Sequence, residues 1–236
     1  MISPLLFLSL QPEYLDIPDW FSEKGNFSEE IMKDLTGMGG GFDPRSAFRC
    51  NKDDKLRGDI TRAATEIIEE QVKLGLDVIT DGEVERGCYY LHLMTGLSGV
   101  DTEELEEKVM RSGAYTTLVP AVRSKVRLGP GGPRSAQEWR RAQELCQDRA
   151  VLKFTLPGPM TLMDGMVNLY YESEQELAAD LVTCINQEVL ELAKAGCQYI
   201  QLDEPVMMRY PDKALAFGLD NLAKCFAGLP EGVGKV

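Results

Sequence analysis

Glu83 and Asp203 stand in two acidic turns, Asp81-Gly82-Glu83 and Asp203-Glu204-Pro205, each following a short apolar run. Carboxylates just past a buried strand suit a cavity mouth better than a core, because ligands of parallel α/β folds gather at the carboxyl ends of strands. Such a pair suits recognition of a cation, for example a substrate ammonium. Two carboxylates sharing an empty site repel and one pKa rises; an ammonium between them relieves this and donates charge-assisted hydrogen bonds. General acid/base work by the pair is a second use, unsupported by any other residue. The plain alternative is that each acid caps the next helix or solvates its turn. A third turn, Pro157-Gly158-Pro159, follows another apolar run. Around the acids, the supporting residues of such a cavity are Asp81, Gly82, Gly158, Pro159, Thr161 and Glu204.

The elements that must position these turns are written twice. In the first copy a helix begins near Asp59 or Thr61, with Ala64, Ile68 and Val72 recurring at i+4 and Ile67 beside them. Gly75 stops it, since a residue just past a helix often needs φ > 0, and Leu76 to Thr80 reads as a strand. In the second, Ser173 and Glu176 form a capping box. Leu177, Leu181, Cys184, Ile185, Val189 and Leu192 follow at helical spacing, Gly196 closes the helix, and Cys197 to Leu202 is a strand. A Lys stands two before each Gly (Lys73, Lys194) and a Glu eight after it (Glu83, Glu204). A repeated helix–turn–strand–acid unit is the mark of alternating α/β architecture. A third strand is expected at Val151–Thr155.

Residues 84–150 read as an insertion, with an acidic helix near 101–111, a strand at Thr117–Val122, a turn at 129–133 and a helix from Ser135 to about Ala150. Residues 37–41 and Arg49 to Arg57 read as loops, and the apolar start, without a basic leader and interrupted by Pro4, as a buried first strand rather than a signal peptide. The final residues, 232–236, look like the beginning of another strand. A full (β/α)₈ barrel needs about 250 residues and eight strands. The four to five strand candidates here make the expected fold an incomplete (β/α)₈ TIM-barrel type, the N-terminal portion of a single domain over residues 1–236. Its unpaired barrel edges invite self-association.

A net charge of −13 over 236 residues speaks against nucleic acid or anionic membrane, which both need a positive field. No apolar stretch approaches the length of about 18 residues that a membrane span requires. Six scattered cysteines with no C-x-x-C pair read as reduced core thiols of a cytoplasmic protein. His92, the single histidine, reads as a satisfied structural or surface residue, and no H-x-C, H-E-x-x-H or paired-Cys spacing builds a zinc site. Arg123, Lys125 and Arg127 alternate as a solvated strand face, and Met207-Met208 and the methionines from Met160 to Met166 read as lining or core.

Together, Ile79-Thr80-Asp81-Gly82-Glu83-Val84-Glu85-Arg86, Leu156-Pro157-Gly158-Pro159-Met160-Thr161 and Ile200-Gln201-Leu202-Asp203-Glu204-Pro205 resemble, in order and spacing, the patterns of the cobalamin-independent methionine synthase catalytic barrel. The resemblance covers about residues 55 to 236 and is closest to the short, single-barrel members. It implies methyl transfer to the thiol of homocysteine, forming methionine, with zinc activating the sulfur. It also implies that Glu83 and Asp203 hold the homocysteine amino group. The family's zinc ligands begin with His-x-Cys on the next strand and its catalytic His lies further on. Zinc is therefore expected for the family with no ligands in this chain, His92 is not given the catalytic role, and residues 1–236 alone are expected to be inactive. The I-G-S-F/Y-P segment that opens the family's domain is replaced by Leu6 to Pro12, and only Pro18-Asp19-Trp20 is similar to the residues that come after that segment in the family. Positions where the long enzymes carry folate-contacting Trp and Glu are Gly165 and Arg209, which leaves the methyl donor open. The rival readings are a non-catalytic amino-acid-binding remnant and a uroporphyrinogen-decarboxylase-like or other thiol transferase of the same barrel superfamily.

Overall fold

A computed structural model of the chain describes residues 54–236, apart from residue 87 and residues 111–114. In chain order the elements are α1 (Asp54–Lys73), β1 (Val78–Ile79), α2 (Tyr89–Met94), β2 (Leu97–Met110), β3 (Tyr115–Leu128), α3 (Ser135–Cys146), β4 (Val151–Leu152) and β5 (Phe154–Pro157). They continue with α4 (Pro159–Asp164), β6 (Val167–Asn168), α5 (Glu174–Ala195), β7 (Tyr199–Asp203), a 3₁₀ turn (Pro205–Met208), α6 (Pro211–Lys213), a π turn (Ala214–Gly218), α7 (Leu219–Cys225) and β8 (Gly234–Lys235). The expected first strand, the 37–41 loop, Pro18-Asp19-Trp20 and Cys50 lie outside the described residues.

β1 pairs with β4, and β5 with β7 and then β8, all parallel. Lys153 joins the two ladders, its N–H donating to the Ile79 carbonyl at 2.8 Å, so residues 151–157 act as one run between β1 and β7. The expected single strand over 151–155 is thus two short strands that continue to Pro157. These parallel strands follow one another with helices between them, as in part of a (β/α)₈ barrel, and no closed barrel forms among the described residues.

Alternation along the strands sorts their side chains. Ile79, Leu152, Phe154, Leu156, Ile200 and Leu202 are buried in one core with Leu177, Leu181, Ile185, Val189 and Leu192 of α5. Lys153, Thr155, Gln201 and Asp203 point to the other face. The helical stripe read from α5 is the buried one, Ser173 Oγ accepts from the Glu176 N–H, and Gly196 ends the helix at φ 105. Gly75 ends the first helical unit at φ 75. That helix starts at Asp54 rather than near Asp59, so residues 54–57 are helical and not loop.

Residues 101–110 of the acidic stretch expected to be a helix are strand instead. They lie in β2, antiparallel to β3, with a shift of register between Asp101 and Glu106. Two forces favour the strand. Asp101 Oδ1 accepts the N–H groups of Glu103 and Glu104 and shapes the irregular stretch, and Arg123 on the facing strand meets Asp101, Glu104 and Glu106 at 3.3, 3.9 and 2.7 Å. β3 is longer than the expected 117–122 strand, and α3 ends at Cys146 rather than Ala150. β3 also pairs in parallel with β6, and Lys108 Nζ donates to the carbonyls of Met163, Asp164 and Met166 at 3.2, 2.9 and 2.7 Å, tying the hairpin to the end of α4.

Glu188 of α5 is 1% exposed and accepts the N–H groups of Arg134 and Ser135, which the first turn of α3 leaves without helical partners. Hydrogen bonds to a buried charge are worth roughly 1.5–3 kcal/mol each. Glu188→Ala is expected to lower unfolding free energy by about 2–3 kcal/mol in urea titrations; a loss under about 0.5 kcal/mol would mean the cap is not structural.

Candidate functional site

The turn after β1 reverses sharply because two successive residues, Gly82 (φ 73) and Glu83 (φ 56), are left-handed. A Cβ on Gly82 would also press on Ile67 at 2.7 Å. A non-glycine residue held at such a φ stores local strain and persists only where neighbours impose it. Here Asp81 Oδ1 accepts the Glu83 N–H at 3.0 Å and the Glu83 carbonyl accepts the Arg86 N–H at 2.8 Å. Upstream, the Gln71 amide clasps Thr80, donating to its carbonyl at 2.7 Å and accepting its N–H at 3.1 Å.

The turn delivers a buried Glu83 side chain to the neighbouring strand, where Thr155 Oγ1 donates to Glu83 Oε1. Arg86 donates to the Thr155 carbonyl at 2.9 Å and to its hydroxyl at 3.2 Å, lies 3.6 Å from Glu83 Oε2, and stacks over Phe154 at 4.4 Å. Burial pushes the Glu83 carboxyl up; Arg86 and Thr155 pull it down, and Asp81 and Asp203 push it up again, leaving it above the usual carboxylate range. Burial opposes the Arg86 charge, but Glu83 and Glu138 outweigh it and hold the guanidinium protonated.

Behind Arg86 stands Glu138 of α3, 3.9 Å from Arg86 Nε and 2.8 Å from His92 Nε2. Burial would raise the Glu138 carboxyl, yet the His92 hydrogen bond, the His92 charge, Arg86 and Arg134 bring it down to about 2. His92 is thus a satisfied structural residue.

Asp203 ends β7 directly opposite Pro157, and Gln201 Nε2 donates to its Oδ1 at 2.6 Å. Burial raises the Asp203 carboxyl, and the Gln201 bond, Lys153 and Arg86 lower it less than burial raises it. Glu83 and Asp203 therefore both stand at the carboxyl ends of the parallel strands, and the Asp203 charge is near enough to raise the Glu83 carboxyl. Glu204 turns away. Its carboxylate accepts the N–H groups of Met160 and Thr161 at 2.7 and 2.9 Å and the Thr161 hydroxyl at 2.8 Å. It caps α4 from another strand end, so Glu204 and Thr161 serve each other rather than an open cavity. Gly158 is the consequence: a Cβ there would run into Glu204, and its N–H donates to the Asp203 carbonyl at 2.9 Å. Pro159 follows at the first position of α4, where a missing N–H costs nothing.

Tyr89 was not singled out from the sequence. Burial raises its phenol first, then Cys88, Asp203, Glu204 and Glu83, which places its hydroxyl in the field of all three acids. Its only sequence signal is its place three residues after Arg86. Gly165 lies against the Tyr90 ring, and Arg209 pairs with Asp164. Met160 and Met166 are core, whereas Met208 is 87% exposed and neither lining nor core.

A cavity of about 550 Å³ opens at the amino ends of the strands, beside Gly75, Asp77, Trp139, Val151, Gly196 and Gln198. It holds neither Glu83 nor Asp203, and Arg149 and Asp148 on its rim are already joined to Glu69 and Gln143. The carboxylate end is the better candidate, because ligands of parallel sheets bind beyond the carboxyl ends. Among the described residues no three His, Cys, Asp or Glu gather to hold a metal. The five described cysteines are free and buried, and burial pushes the Cys184 and Cys225 thiols up to about 12 and Cys197 to about 11, which ill suits metal-binding thiolates. The described residues do not fit zinc.

Residues 45–216 match the family described as cobalamin-independent synthase, catalytic domain. The chain is similar to a methionine synthase of Thermococcus kodakarensis, 29% identical over 172 residues, covering 73% of this chain and 49% of the relative. A methionine synthase of Sulfurisphaera tokodaii is 31% identical over 168 residues, covering 69% and 48%. Among solved structures, a B12-independent methionine synthase from Shewanella sp. W3-18-1 in complex with selenomethionine superposes with a TM-score of 0.68 at 27% identity, covering 75% of this chain and 50% of that one. The chain thus spans about half the length of the curated relatives it matches. The likeness places the incomplete parallel sheet in the TIM-barrel type of α/β fold.

Two outcomes test this geometry. Gly158→Ala is expected to cost roughly 1–3 kcal/mol in unfolding free energy, as overpacking does, and a neutral result would show that Glu204 can leave its cap freely. Because the Glu138 carboxyl is depressed, its contribution to stability is full above the unfolded value of 4.5 and fades as pH falls towards about 2. Glu138→Gln should therefore be less stable than the parent at pH 7 and converge with it near pH 2. A gap independent of pH would contradict the ionised cluster.

Proposed function

The chain belongs to the cobalamin-independent synthase catalytic-domain family, and from that premise we propose that it holds homocysteine by its amino group for methyl transfer to the thiol, forming methionine. The observation that carries this reading is the placing of Glu83 and Asp203 at neighbouring strand ends, two water-poor carboxylates that stay raised although Arg86 lowers both. A substrate ammonium supplies a further positive charge and donates to both acids. The selenomethionine bound in the solved relative has the same amino-acid end as homocysteine, which supports the assignment.

The residues of this chain bind and orient. Glu83 and Asp203 take the ammonium, while Arg86 and Thr155 fix the Glu83 carboxylate. Asp81 and Gly82 shape its turn, and Gly158, Pro159, Thr161 and Glu204 brace the turn that follows the neighbouring strand. Transfer would form a sulfur–methyl bond as the donor's bond to that methyl breaks, with loss of the thiol proton. The family is in general a zinc enzyme, zinc being the group that supplies a thiolate, and the described residues of this chain do not fit it. A free thiol of pKa about 8.5 is only a few per cent thiolate at neutral pH. The 236-residue chain alone is accordingly expected to bind homocysteine without methylating it. The donor is left open by Gly165, closed off by Tyr90, and by Arg209, engaged with Asp164.

We read residues 84–150 as an insertion within one domain, whose α3 lends Glu138 to Arg86. The free outer edges of β1 and β8 among the described residues support self-association. Buried, unbridged thiols suit a reducing compartment such as the cytoplasm. No described helix is long and apolar enough to cross a membrane.

Calorimetric titration with homocysteine is the direct test. Glu83→Gln and Asp203→Asn should each weaken binding about thirty-fold or more, since truncating one side of a buried charge pair costs roughly 2 kcal/mol or more. Equal affinity in parent and both variants would sink the ammonium site. Methyl transfer by the purified, metal-analysed chain would overturn the expectation of inactivity.

A further inference from the structure

Lys153 and Gln201 sit side by side on the sheet face turned away from the helices, one strand apart. Lys153 Nζ donates to Gln201 Oε1 at 2.6 Å, and Gln201 Nε2 donates to Asp203 Oδ1 at 2.6 Å. The first bond decides the second. An ammonium has three donors and no acceptor, so it can face only the oxygen of the amide. That leaves the NH₂ end pointing at Asp203, where only an acceptor is welcome. The barrel faces of such folds are ordinarily filled by branched apolar side chains, which makes a Lys–Gln–Asp line at this level a departure that asks for a reason.

We propose that Lys153 and Gln201 are positioning residues that hold Asp203 as an oriented carboxylate while leaving its second oxygen for the substrate ammonium. This deepens the homocysteine reading and rests on it for the identity of the ligand. A cation in direct contact would neutralise Asp203 and compete with the ligand. A cation one neutral amide away supports the charge without occupying the site. The neighbouring acid is served both ways, by Arg86 directly at 3.6 Å from Glu83 Oε2 and by Arg86 through a neutral hydroxyl. Arg86 donates to Thr155 Oγ1 at 3.2 Å, which turns the hydroxyl proton towards Glu83. Thr155 and Gln201 are register partners on adjacent strands, so the two neutral spacers lie next to each other beneath the two acids. The charged and titratable groups around Asp203 are Lys153, Arg86, Glu83, Glu204 and Tyr89. Lys153 is the cation that reaches Asp203 through Gln201.

The test is a carboxyl-carbon NMR titration of Asp203 in the full chain, with the Gln201 side-chain amide signals and homocysteine affinity measured alongside. In Lys153→Met the Asp203 midpoint should rise by about one pH unit, the Gln201 amide should lose its protection from exchange, and homocysteine should bind roughly ten-fold more weakly at neutral pH. Gln201→Glu, which keeps the contact with Lys153 but turns an oxygen on Asp203, should raise the midpoint further. Lys153→Arg, still a pure donor, should restore most of the parent behaviour and serves as the folding control. An Asp203 midpoint and Gln201 amide unmoved in Lys153→Met would overturn the proposal, even if homocysteine binds through Asp203. If the midpoint moves but the parent chain binds no homocysteine, the relay stands and the ligand reading falls.

Discussion

Four carboxylates, those of Glu83, Glu138, Asp203 and Glu204, are held largely out of water near one end of one sheet. Burying a charge is expensive unless it is paired and hydrogen-bonded, and much of the local architecture answers that constraint. Glu138 is answered completely by His92, Arg86 and Arg134, and sits well below its ordinary pKa. Glu204 is answered by two backbone N–H groups and a hydroxyl. Glu83 and Asp203 are answered only in part, and their carboxyls stay raised. That gradient from satisfied to unsatisfied acids is what the proposed ammonium site rests on.

That gradient also explains the backbone at the turns. Gly82 and Glu83 take left-handed conformations because the chain must double back within two residues to bring Glu83 onto Thr155. Gly158 has no side chain because the Glu204 carboxylate needs the space above it to reach the start of α4. Neither glycine is there for flexibility. Gly82 allows the turn that carries Glu83 to its partner, and Gly158 leaves room for the Glu204 carboxylate to reach its own.

The repeated unit of helix, glycine, strand and acid was legible because all its signals are local. The α5 stripe, the Ser173 cap and the left-handed Gly196 lie within one helix and its ends. The pairing of acids at the strand ends followed from the repeat. The uses of the individual acids were not legible, since Glu204 differs from Asp203 only through partners more than forty residues away in sequence, at Met160 and Thr161. The strand at 97–110 was hidden for a similar reason. A run of acids reads as a solvated helix until Arg123 is laid across it by the hairpin. Tyr89 and Lys153 escaped notice because an isolated phenol or ammonium carries no pattern of its own.

α4 is gripped at both ends by charges of opposite sign, Glu204 at its start and Lys108 at its finish. Each charge suits the end of the helix dipole that it meets. The short helix is therefore a strut between the β7 tip and the long hairpin. The hairpin is thereby fastened, through one short helix, to the residue that follows Asp203 in the chain.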